Sequence, residues 1–376
     1  MERHEEVFFS LLRNAMWESP VEIPEGFAEW GSVARTAKIQ SLLGMTGDAM
    51  LSDHRIAAAM PAELKTKIKT FIMANMMTHG KLNNVLVKVT GKLLDAGIPS
   101  VLLKGQGLAQ YYPKPELRQC GDIDLYVGVG DYSASYDILS PFADKIDDRK
   151  SLEVGKHYDF FVGKVAVEVH RYSGRYPTAK LDAIYQEVSR QGLAANLVPM
   201  SFLGCQVLTP SDEYNAFYIF SHLFHHFLTS GLGTRQLCDW MLFLRARGAD
   251  IDMDSLRNTL NRLDMLGPWQ DFGCILVKYL GMPQEQFPFY DNSREKRASI
   301  ILRRIMEEGN FGQERNVNKK RGKIYLINKT KALLAHISRT FGLLFLFPRH
   351  SFRQIWYTFS SGFAQVWNDT KIRFGL

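Results

Sequence analysis

The sequence predicts an α+β fold in which a small mixed β-sheet is flanked by N-terminal and C-terminal helical regions. Three observations predict it. Apolar residues recur at helical spacing before residue 95 and again after residue 180. Between these regions lie short runs that are wholly apolar or alternate polar and apolar residues, as strands do. The chain has 376 residues, of which 46% are hydrophobic, so its length suits two or three domains with buried cores.

The N-terminal region, residues 1–95, is predicted to be helical. An amphipathic pattern starts near Glu5, and a second helical stretch runs over 30–43, with Gly44 as its predicted stop. Pro61 then opens a long helical segment with apolar residues at intervals, which is expected to end near Ala96-Gly97.

The middle region, residues 96–180, is predicted to hold the sheet. Its expected elements are, in chain order, a strand over Ser100–Leu103, a strand over Asp122–Val127, a helix over Tyr132–Asp144, and two strands over His157–Val162 and Val165–His170. The last two strands are joined by Gly163-Lys164, a two-residue connection that favours a hairpin.

Residues 181–312 are predicted to form a helical domain. Thr209 is a candidate N-cap that is followed by Pro210, and the helix after it is expected to end near Leu228. The next helix is predicted over Thr234–Arg247, because Gly248 is a suitable residue just beyond a helix end.

Residues 313–376 form a basic, aromatic C-terminal tail that is predicted to be helical. They contain 12 Lys and Arg but 2 Asp and Glu, a net charge of +10, whereas the whole chain has +7 and the preceding 312 residues therefore sum to −3. A tail of this kind favours contact with an acidic partner, with nucleic acid or with an anionic membrane surface. The alternative is a solvated basic helix pair whose aromatic residues form its core.

Cysteine usage and hydropathy predict a cytoplasmic protein. The four cysteines form no CxxC pair, which argues against a zinc ribbon and a thioredoxin motif; they are Cys120, Cys205, Cys238 and Cys274. The first residues lack an apolar signal-peptide core, and the longest late apolar run, 341–347, is far shorter than the ~20 residues of a spanning helix.

Three acidic residues on the predicted strands are candidate metal ligands. Asp122 and Asp124 lie two positions apart on one strand, so their side chains leave the same face. A hard divalent cation offsets such neighbouring negative charges. Glu168 is a lone carboxylate on an otherwise apolar strand and needs a partner if it is buried. That partner is a metal shared with the aspartates or, alternatively, a salt bridge to Arg118 or Arg171.

A glycine turn precedes these carboxylates. Gly105 and Gly107 follow a strand and precede a predicted helix, where glycine lets backbone N–H groups approach a phosphate and Lys104 adds a positive charge. Gly105 lies 17 positions before Asp122, enough for a short helix and a return strand. The alternative is a plain strand-to-helix turn.

A histidine pair lies further along the chain. His222 and His226 share a helix face at a spacing that zinc can use, although the string HLFHH lacks the acid of HExxH. The alternative is a pair of core histidines. On the next helix, Arg235 and Asp239 are also four residues apart and are expected either to face a substrate or to pair with each other.

The combined motif resembles a known superfamily. The segments Leu103-Lys104-Gly105, Arg118 and Gly121-Asp122-Ile123-Asp124-Leu125 resemble the DNA polymerase beta-type nucleotidyltransferases. More closely, "IPxVLLKG…LRxxGDIDLYV…VEVHR" resembles a bacterial family of uncharacterised nucleotidyltransferases with the signature LKG…R…DIDL…(D/E)xH. The resemblance covers roughly residues 1–250, and residues 98–170 carry most of it.

The resemblance implies roles for these residues. Two Mg²⁺ (or Mn²⁺) ions would bind the aspartates, one holding the NTP and the other the attacking hydroxyl, while Glu168 would complete the site and accept the proton. The implied nucleotide-binding residues are Lys104, Gly105, Gln106, Gly107 and Arg118, and the implied substrate-side residues are His170, His222, His226, Arg235 and Asp239. The superfamily turn is usually Gly-Ser or Gly-Gly, whereas here it is Gly105-Gln106.

The predicted function is therefore transfer of a nucleoside monophosphate from an NTP to a hydroxyl acceptor, a protein or a small molecule, with release of pyrophosphate. The alternative is a nucleotide-binding or partner-binding module without turnover, which has no need of a complete set of metal ligands. A third hypothesis is a nucleic-acid-associated protein that binds through the aromatic residues of the basic tail.

Overall fold

A seven-stranded mixed sheet organises the fold in the computed structural model, which describes residues 1–310 and 337–359. The strands are β1 (Val101–Leu102), β2 (Asp122–Tyr126), β3 (Lys145–Ile146), β4 (His157–Val162), β5 (Val165–His170), β6 (Val198–Phe202) and β7 (Cys205–Thr209). Their spatial order is β3-β4-β5-β2-β1-β7-β6. The pairs β2–β5 and β1–β7 are parallel, and the other pairs are antiparallel.

Helices precede, interrupt and follow the sheet. Before it lie α1 (Arg3–Trp17), α2 (Trp30–Ile39), α3 (Leu43–Ser52), α4 (His54–Ala59) and α5 (Ala62–Asp95). Within its span lie α6 (Gln106–Ala109), α7 (Gly128–Leu139), α8 (Ser151–Val154) and α9 (Ala179–Gly192). After it come α10 (Asp212–Thr229), α11 (Thr234–Arg247), α12 (Met253–Arg262), α13 (Leu266–Leu280), α14 (Glu295–Glu308), α15 (337–341) and α16 (348–359). The α+β prediction is confirmed.

The two faces of the sheet differ in chemistry because strand side chains alternate. Ile123 and Leu125 of β2, with Val167 and Val169 of β5, join one buried cluster with the second half of α5. The opposite face of the same strands carries the acidic residues. The parallel register of β2 and β5 sets Asp124 directly opposite Glu168, so the sheet itself brings the predicted ligands together.

The prediction that the chain is helical after residue 180 was wrong for one hairpin. Strands β6 and β7 are joined by Leu203 and Gly204, which both have positive φ, as a tight two-residue hairpin turn requires. Strand β7 pairs with β1, so this hairpin extends the sheet beyond the predicted middle region. Consequently α10 starts later than predicted, with Ser211 rather than Thr209 as its N-cap.

Gly44 was predicted to stop a helix, but it lies inside α3. The preceding helix, α2, ends earlier, at Ile39, and Ser41 turns the chain with a positive φ. The reason for a glycine at position 44 is packing: a Cβ atom there would lie 2.2 Å from the carbonyl oxygen of Leu117.

We expect Gly44→Ala to lower the free energy of unfolding by about 1–3 kcal/mol, because backbone must move to admit the methyl group. Gly91→Ala is the matched control, since Gly91 also lies in a helix and a Cβ there meets no atom within 4 Å. That control should be neutral or stabilise by up to about 1 kcal/mol. Urea unfolding of both variants measures the difference, and equal effects would contradict the packing explanation.

The described part of the C-terminal tail packs into the main core. Leu343, Leu346 and Phe347 are buried. The buried guanidinium of Arg339 pairs with Glu308 and donates to the backbone carbonyl of Phe227 at 2.7 Å. Segment 337–359 therefore packs one side against the folded core, while Phe341, Phe345 and Trp356 are exposed. The remaining tail residues, 313–336 and 360–376, lie outside the described residues. Across the part of the chain that the structure describes, no helix is long and apolar enough to cross a membrane.

Candidate active site

Three carboxylates converge on the polar face of the sheet. One oxygen from each of Asp122, Asp124 and Glu168 lies within 4.8 Å of the others. Asp124 is completely buried, and its Oδ2 has no hydrogen-bond partner among the described residues. An orphaned, buried carboxylate oxygen is costly unless a cation or a donor reaches it. The three residues therefore fit a divalent cation.

The aspartates are electrostatically unequal. Burial tends to raise the pKa of Asp124, but the charge of Lys104 and a hydrogen bond from His170 hold that pKa well below its ordinary value. In Asp122, burial and the negative charge of Asp124 outweigh the charges of Lys104 and Arg235, so the pKa of Asp122 is raised. The negative charge of Asp124 is thus compensated, whereas the charged form of Asp122 is disfavoured. A cation bound beside both would stabilise the charged form of Asp122.

Lys104 sits against the carboxylates as a cation. Its Nζ lies 3.1 Å from Asp124 Oδ1 and 3.0 Å from His222 Nε2. Burial tends to lower the pKa of Lys104, but the nearby acids raise it overall, so the side chain is charged. Its ammonium neutralises Asp124, and whether it also contacts phosphates stays a prediction.

The three residues of the glycine turn, Gly105, Gln106 and Gly107, have different surroundings. Gly105 has a φ of +60°, and a Cβ there would lie 3.3 Å from the carbonyl oxygen of Asp122, so this position requires glycine beside the carboxylate strand. Gln106 is fully buried, and its amide nitrogen donates to Asn83 on α5. A Cβ at Gly107 would contact side chains of β1 and β7. Gly105 thus lies beside the carboxylate strand, whereas the Gln106 side chain is turned towards α5, and the nucleotide contacts predicted for all three residues stay predictions.

A cavity of about 460 Å³ opens over the carboxylates. It is lined by predicted residues from separate parts of the chain, namely Lys104, Gly105, Arg118, Asp122, Asp124, Glu168, His222, His226, Arg235 and Asp239. A volume of this size suits a small-molecule ligand. The fold therefore gathers most of the predicted site around one concave space.

Comparison with known proteins identifies the family. The model of a family described as uncharacterised nucleotidyltransferase matches residues 27–280, about two thirds of the chain. The chain belongs to this family. Since the matched range contains every residue of the carboxylate site, the family assignment and the geometry concern the same part of the molecule.

The other comparisons add little to the family assignment. The chain is similar to the crystal structure of an antigenic nucleotidyltransferase-like protein from Paracoccidioides brasiliensis. The match covers 54% of this chain and 92% of the other, at 15% sequence identity and a TM-score of 0.34. That likeness is too distant to bear on the site. No curated protein matches the chain significantly.

Arg118 and Asp239 form a buried ion pair. Arg118 donates from Nε and from a terminal nitrogen to the two Asp239 oxygens, each at 2.7 Å, and the Tyr112 hydroxyl donates to Asp239 at 2.6 Å. The alternative that Asp239 pairs with Arg235 was wrong, because Arg235 instead donates to the backbone carbonyl of Gln119 at 2.7 Å. Arg118 and Asp239 thus brace one wall of the cavity.

Glu168 contacts imidazoles rather than the arginines offered as its alternative partners. Its Oε2 lies 3.3 Å from His170 Nε2 and 3.7 Å from His157 Nδ1. Burial tends to lower the pKa of His170, but hydrogen bonds to Asp124 and Glu168 raise it above the usual histidine value. The two carboxylates thus favour the protonated form of His170, which lies between them and contacts both.

His157 was not among the predicted site residues, although the predicted hairpin indicates its position. The predicted hairpin with its two-residue turn pairs the first residue of β4 with the last residue of β5, so His157 lies opposite His170. His157, Glu168 and His170 form a second group whose candidate ligand atoms lie within 4.8 Å of one another. Burial and the charge of His170 lower the pKa of His157 to about 4.

His222 and His226 lie at the site as a neutral pair. Because the Lys104 ammonium can only donate, His222 Nε2 must accept. His226 Nε2 lies 3.3 Å from the same atom, and His226 Nδ1 forms a hydrogen bond of 2.8 Å with the Ser230 hydroxyl. Among the described residues no third ligand completes a metal group with this pair. Burial and the charges of Lys104 and His225 lower the pKa of His226 to about 3.

The partly buried His226 predicts a loss of stability in acid. The unfolded side chain binds a proton below about pH 6.5, whereas the folded one stays neutral to about pH 3. The unfolded state therefore binds more protons in that window, and His226 costs about 2 kcal/mol of unfolding free energy between pH 7 and pH 5. Urea unfolding of His226→Gln should show a correspondingly smaller fall in the free energy of unfolding between pH 7 and pH 5.

His54→Gln provides the matched control, because His54 is exposed at the start of α4. Its pH profile should run parallel to that of the wild type. A His226→Gln profile that is also parallel would contradict the proposed neutral state of His226.

Proposed function

We propose that this protein is a metal-dependent nucleotidyltransferase that moves a nucleoside monophosphate from an NTP to a hydroxyl acceptor. The observation that supports this best is the group of three carboxylates with the orphaned oxygen of Asp124. Family membership supports transferase chemistry of this class. A cytoplasmic location, predicted from cysteine usage, is consistent with a substrate such as an NTP.

Asp122, Asp124 and Glu168 would hold Mg²⁺ or Mn²⁺. Bound there, the metal would stabilise the charge that develops on the attacking and leaving oxygens. The fit rests on hard oxygen donors and on the raised pKa of Asp122, which a nearby cation would reverse. His170 and Lys104 keep Asp124 ionised and oriented before any ligand arrives.

The proposed reaction is an in-line displacement at the α-phosphorus. A bond forms between the acceptor oxygen and the α-phosphorus, while the bond from that phosphorus to the bridging oxygen breaks and pyrophosphate leaves. The acceptor proton passes to Glu168, whose carboxylate is ionised because the hydrogen bond from His170 outweighs burial and lowers its pKa. Gly105 lets the backbone lie close beside this reaction centre.

The direct test is incubation of the purified protein with each α-labelled NTP and Mg²⁺ or Mn²⁺, with a lysate fraction as acceptor. Label that moves onto protein or a small molecule with wild type, but not with Asp122→Ala/Asp124→Ala, would support the proposal. Metal-dependent NTP binding without transfer would favour the binding-module alternative. Loss of both transfer and metal-dependent binding would refute the enzyme hypothesis.

A further inference from the structure

A second cavity of about 550 Å³ adjoins the carboxylate cavity. It lies between α10, the segment 171–177 and the C-terminal helix α16. The two cavities share four lining residues, Lys156, Tyr218, His222 and His226. These four residues therefore form the junction between the two cavities.

The two cavities differ in the charged residues that line them. The carboxylate cavity is lined by both signs: four acids, namely Asp122, Asp124, Glu168 and Asp239, and four cations, namely Lys104, Arg118, Lys156 and Arg235. Among the described residues that line the second cavity there is no Asp or Glu, but there are four cations, namely Lys156, Arg171, Arg175 and Arg353. A low-dielectric cleft lined by one sign of charge attracts ligands of the other sign.

Two of these cations, Arg171 and Lys156, form no ion pair with a carboxylate of the described residues. The other two, Arg175 and Arg353, are paired with Asp182 and Asp264. By contrast, no carboxylate of the described chain lies in ion-pair distance of Arg171, whose guanidinium donates to a backbone carbonyl and lies 5.4 Å from the ring centre of Tyr172. Lys156 stands at the junction, and burial together with the charge of Lys104 lowers its pKa. An anionic group would stabilise both side chains.

The remaining wall of the second cavity is aromatic and aliphatic. Its rings include Tyr172, Tyr176 and Tyr357, and its aliphatic side chains include Leu228 and Met265. Rings and aliphatic side chains lining a pocket of this size favour the apolar body of a small ligand, while a few charged groups fix its orientation. A folded protein domain would not fit in this volume.

We propose that the second cavity is the acceptor site, and that the acceptor is a small hydroxyl compound carrying an anionic group and an apolar or ring body. This inference rests on the proposed function. The anionic group lies at Arg171, the body packs on the tyrosines, and the hydroxyl extends past Lys156 to the carboxylates. Arg171 and Lys156 are thus positioning residues for the acceptor, and the NTP occupies the carboxylate cavity.

Calorimetry with a matched series of probes tests the class of ligand. Phenyl phosphate, benzyl alcohol and benzylammonium share a ring and differ in charge. We expect phenyl phosphate to bind at least 10-fold more tightly than benzyl alcohol, and benzylammonium to bind most weakly. Phenyl phosphate should still bind when Mg²⁺ and a saturating non-hydrolysable NTP analogue are present. Equal affinities, or preference for the cation, would overturn the proposed ligand class.

Amino-acid substitutions test whether phenyl phosphate binds in the second cavity. Arg171→Gln should weaken phenyl phosphate at least 10-fold and leave the affinity for the NTP analogue unchanged, and Lys156→Gln provides a second variant at the junction. Arg303→Gln is the control, because Arg303 is exposed on α14, outside both cavities. If the NTP analogue displaces phenyl phosphate and Arg171→Gln weakens both, the cavity belongs to the nucleotide and the acceptor assignment is wrong.

The two proposals fail separately. If no label is transferred from any NTP, yet phenyl phosphate binds as described, the transferase proposal and the acceptor role fail while the anion-selective cavity stands. If transfer is observed but phenyl phosphate shows no saturable binding, the transferase proposal stands and the second-cavity acceptor site is refuted.

Discussion

Replacing Asp122 by asparagine is expected to lower nucleotidyl transfer by about 10³-fold while leaving the protein at least as stable as the wild type. The loss of rate follows because a metal ligand that carries a full charge is replaced by a neutral group, and metal stabilisation of the transition state supplies several kcal/mol. The stability follows from electrostatics. Burial and Asp124 raise the pKa of Asp122, so at pH 7 its charge is unfavourable in the folded state, and asparagine removes that charge.

Two measurements on one protein check this prediction. Initial rates of label transfer with wild type and Asp122→Asn give the loss of activity, and urea unfolding at pH 7 gives the stability. Asp95→Asn provides the control, since Asp95 is an exposed residue at the end of α5 and should change neither quantity appreciably. A variant that loses activity in proportion to a loss of folded protein would show that Asp122 is structural.

Breaking the buried ion pair between Arg118 and Asp239 is expected to have the largest effect on stability. Asp239→Ala should lower the free energy of unfolding by about 3–5 kcal/mol, because it leaves the guanidinium of Arg118 buried without its counter-ion. The Tyr112 hydroxyl also loses its acceptor. Replacing both partners by apolar residues, as in Arg118→Met/Asp239→Leu, should restore most of the lost stability.

An exposed pair gives the comparison for this prediction. Lys278 and Glu295 lie 2.7 Å apart, with more than 40% of each side chain exposed. Glu295→Gln should cost far less than Asp239→Ala, because solvent screens the charges of an exposed pair. If Asp239→Ala costs no more than Glu295→Gln in urea unfolding, the Arg118 charge is compensated in some other way and the bracing role is wrong.

The sequence predicted those parts of the site that depend on local pattern. Alternation in Asp122-Ile123-Asp124 put the carboxylates on one face, and the two-residue turn of the β4–β5 hairpin gave the strand bounds that the structure has. The helix Thr234–Arg247 was also predicted residue for residue, because a helix-ending glycine marks its limit. The alternation of side chains along a strand and the residues of a turn depend on neighbours in the sequence, so both can be predicted without knowing the fold.

Partner choice could not be predicted in this way. Spacing offered Arg235 as a partner for Asp239, but the fold supplies Arg118 from 121 positions away, and Arg118 contacts both carboxylate oxygens. Gln106 likewise appeared able to reach a phosphate, yet its side chain satisfies Asn83 on a helix. The functional roles of the site residues stay predictions until transfer is measured.

The wall that α16 contributes to the second cavity has a consequence for the order of biosynthesis. His350, Arg353 and Tyr357 line that cavity, and the chain reaches them roughly 180 residues after Glu168. At elongation rates of about 5–20 residues per second, the interval is on the order of 10–40 s. A nascent chain on the ribosome therefore possesses all three carboxylates well before it can close the second cavity, so a prematurely terminated chain would carry the metal ligands without that wall.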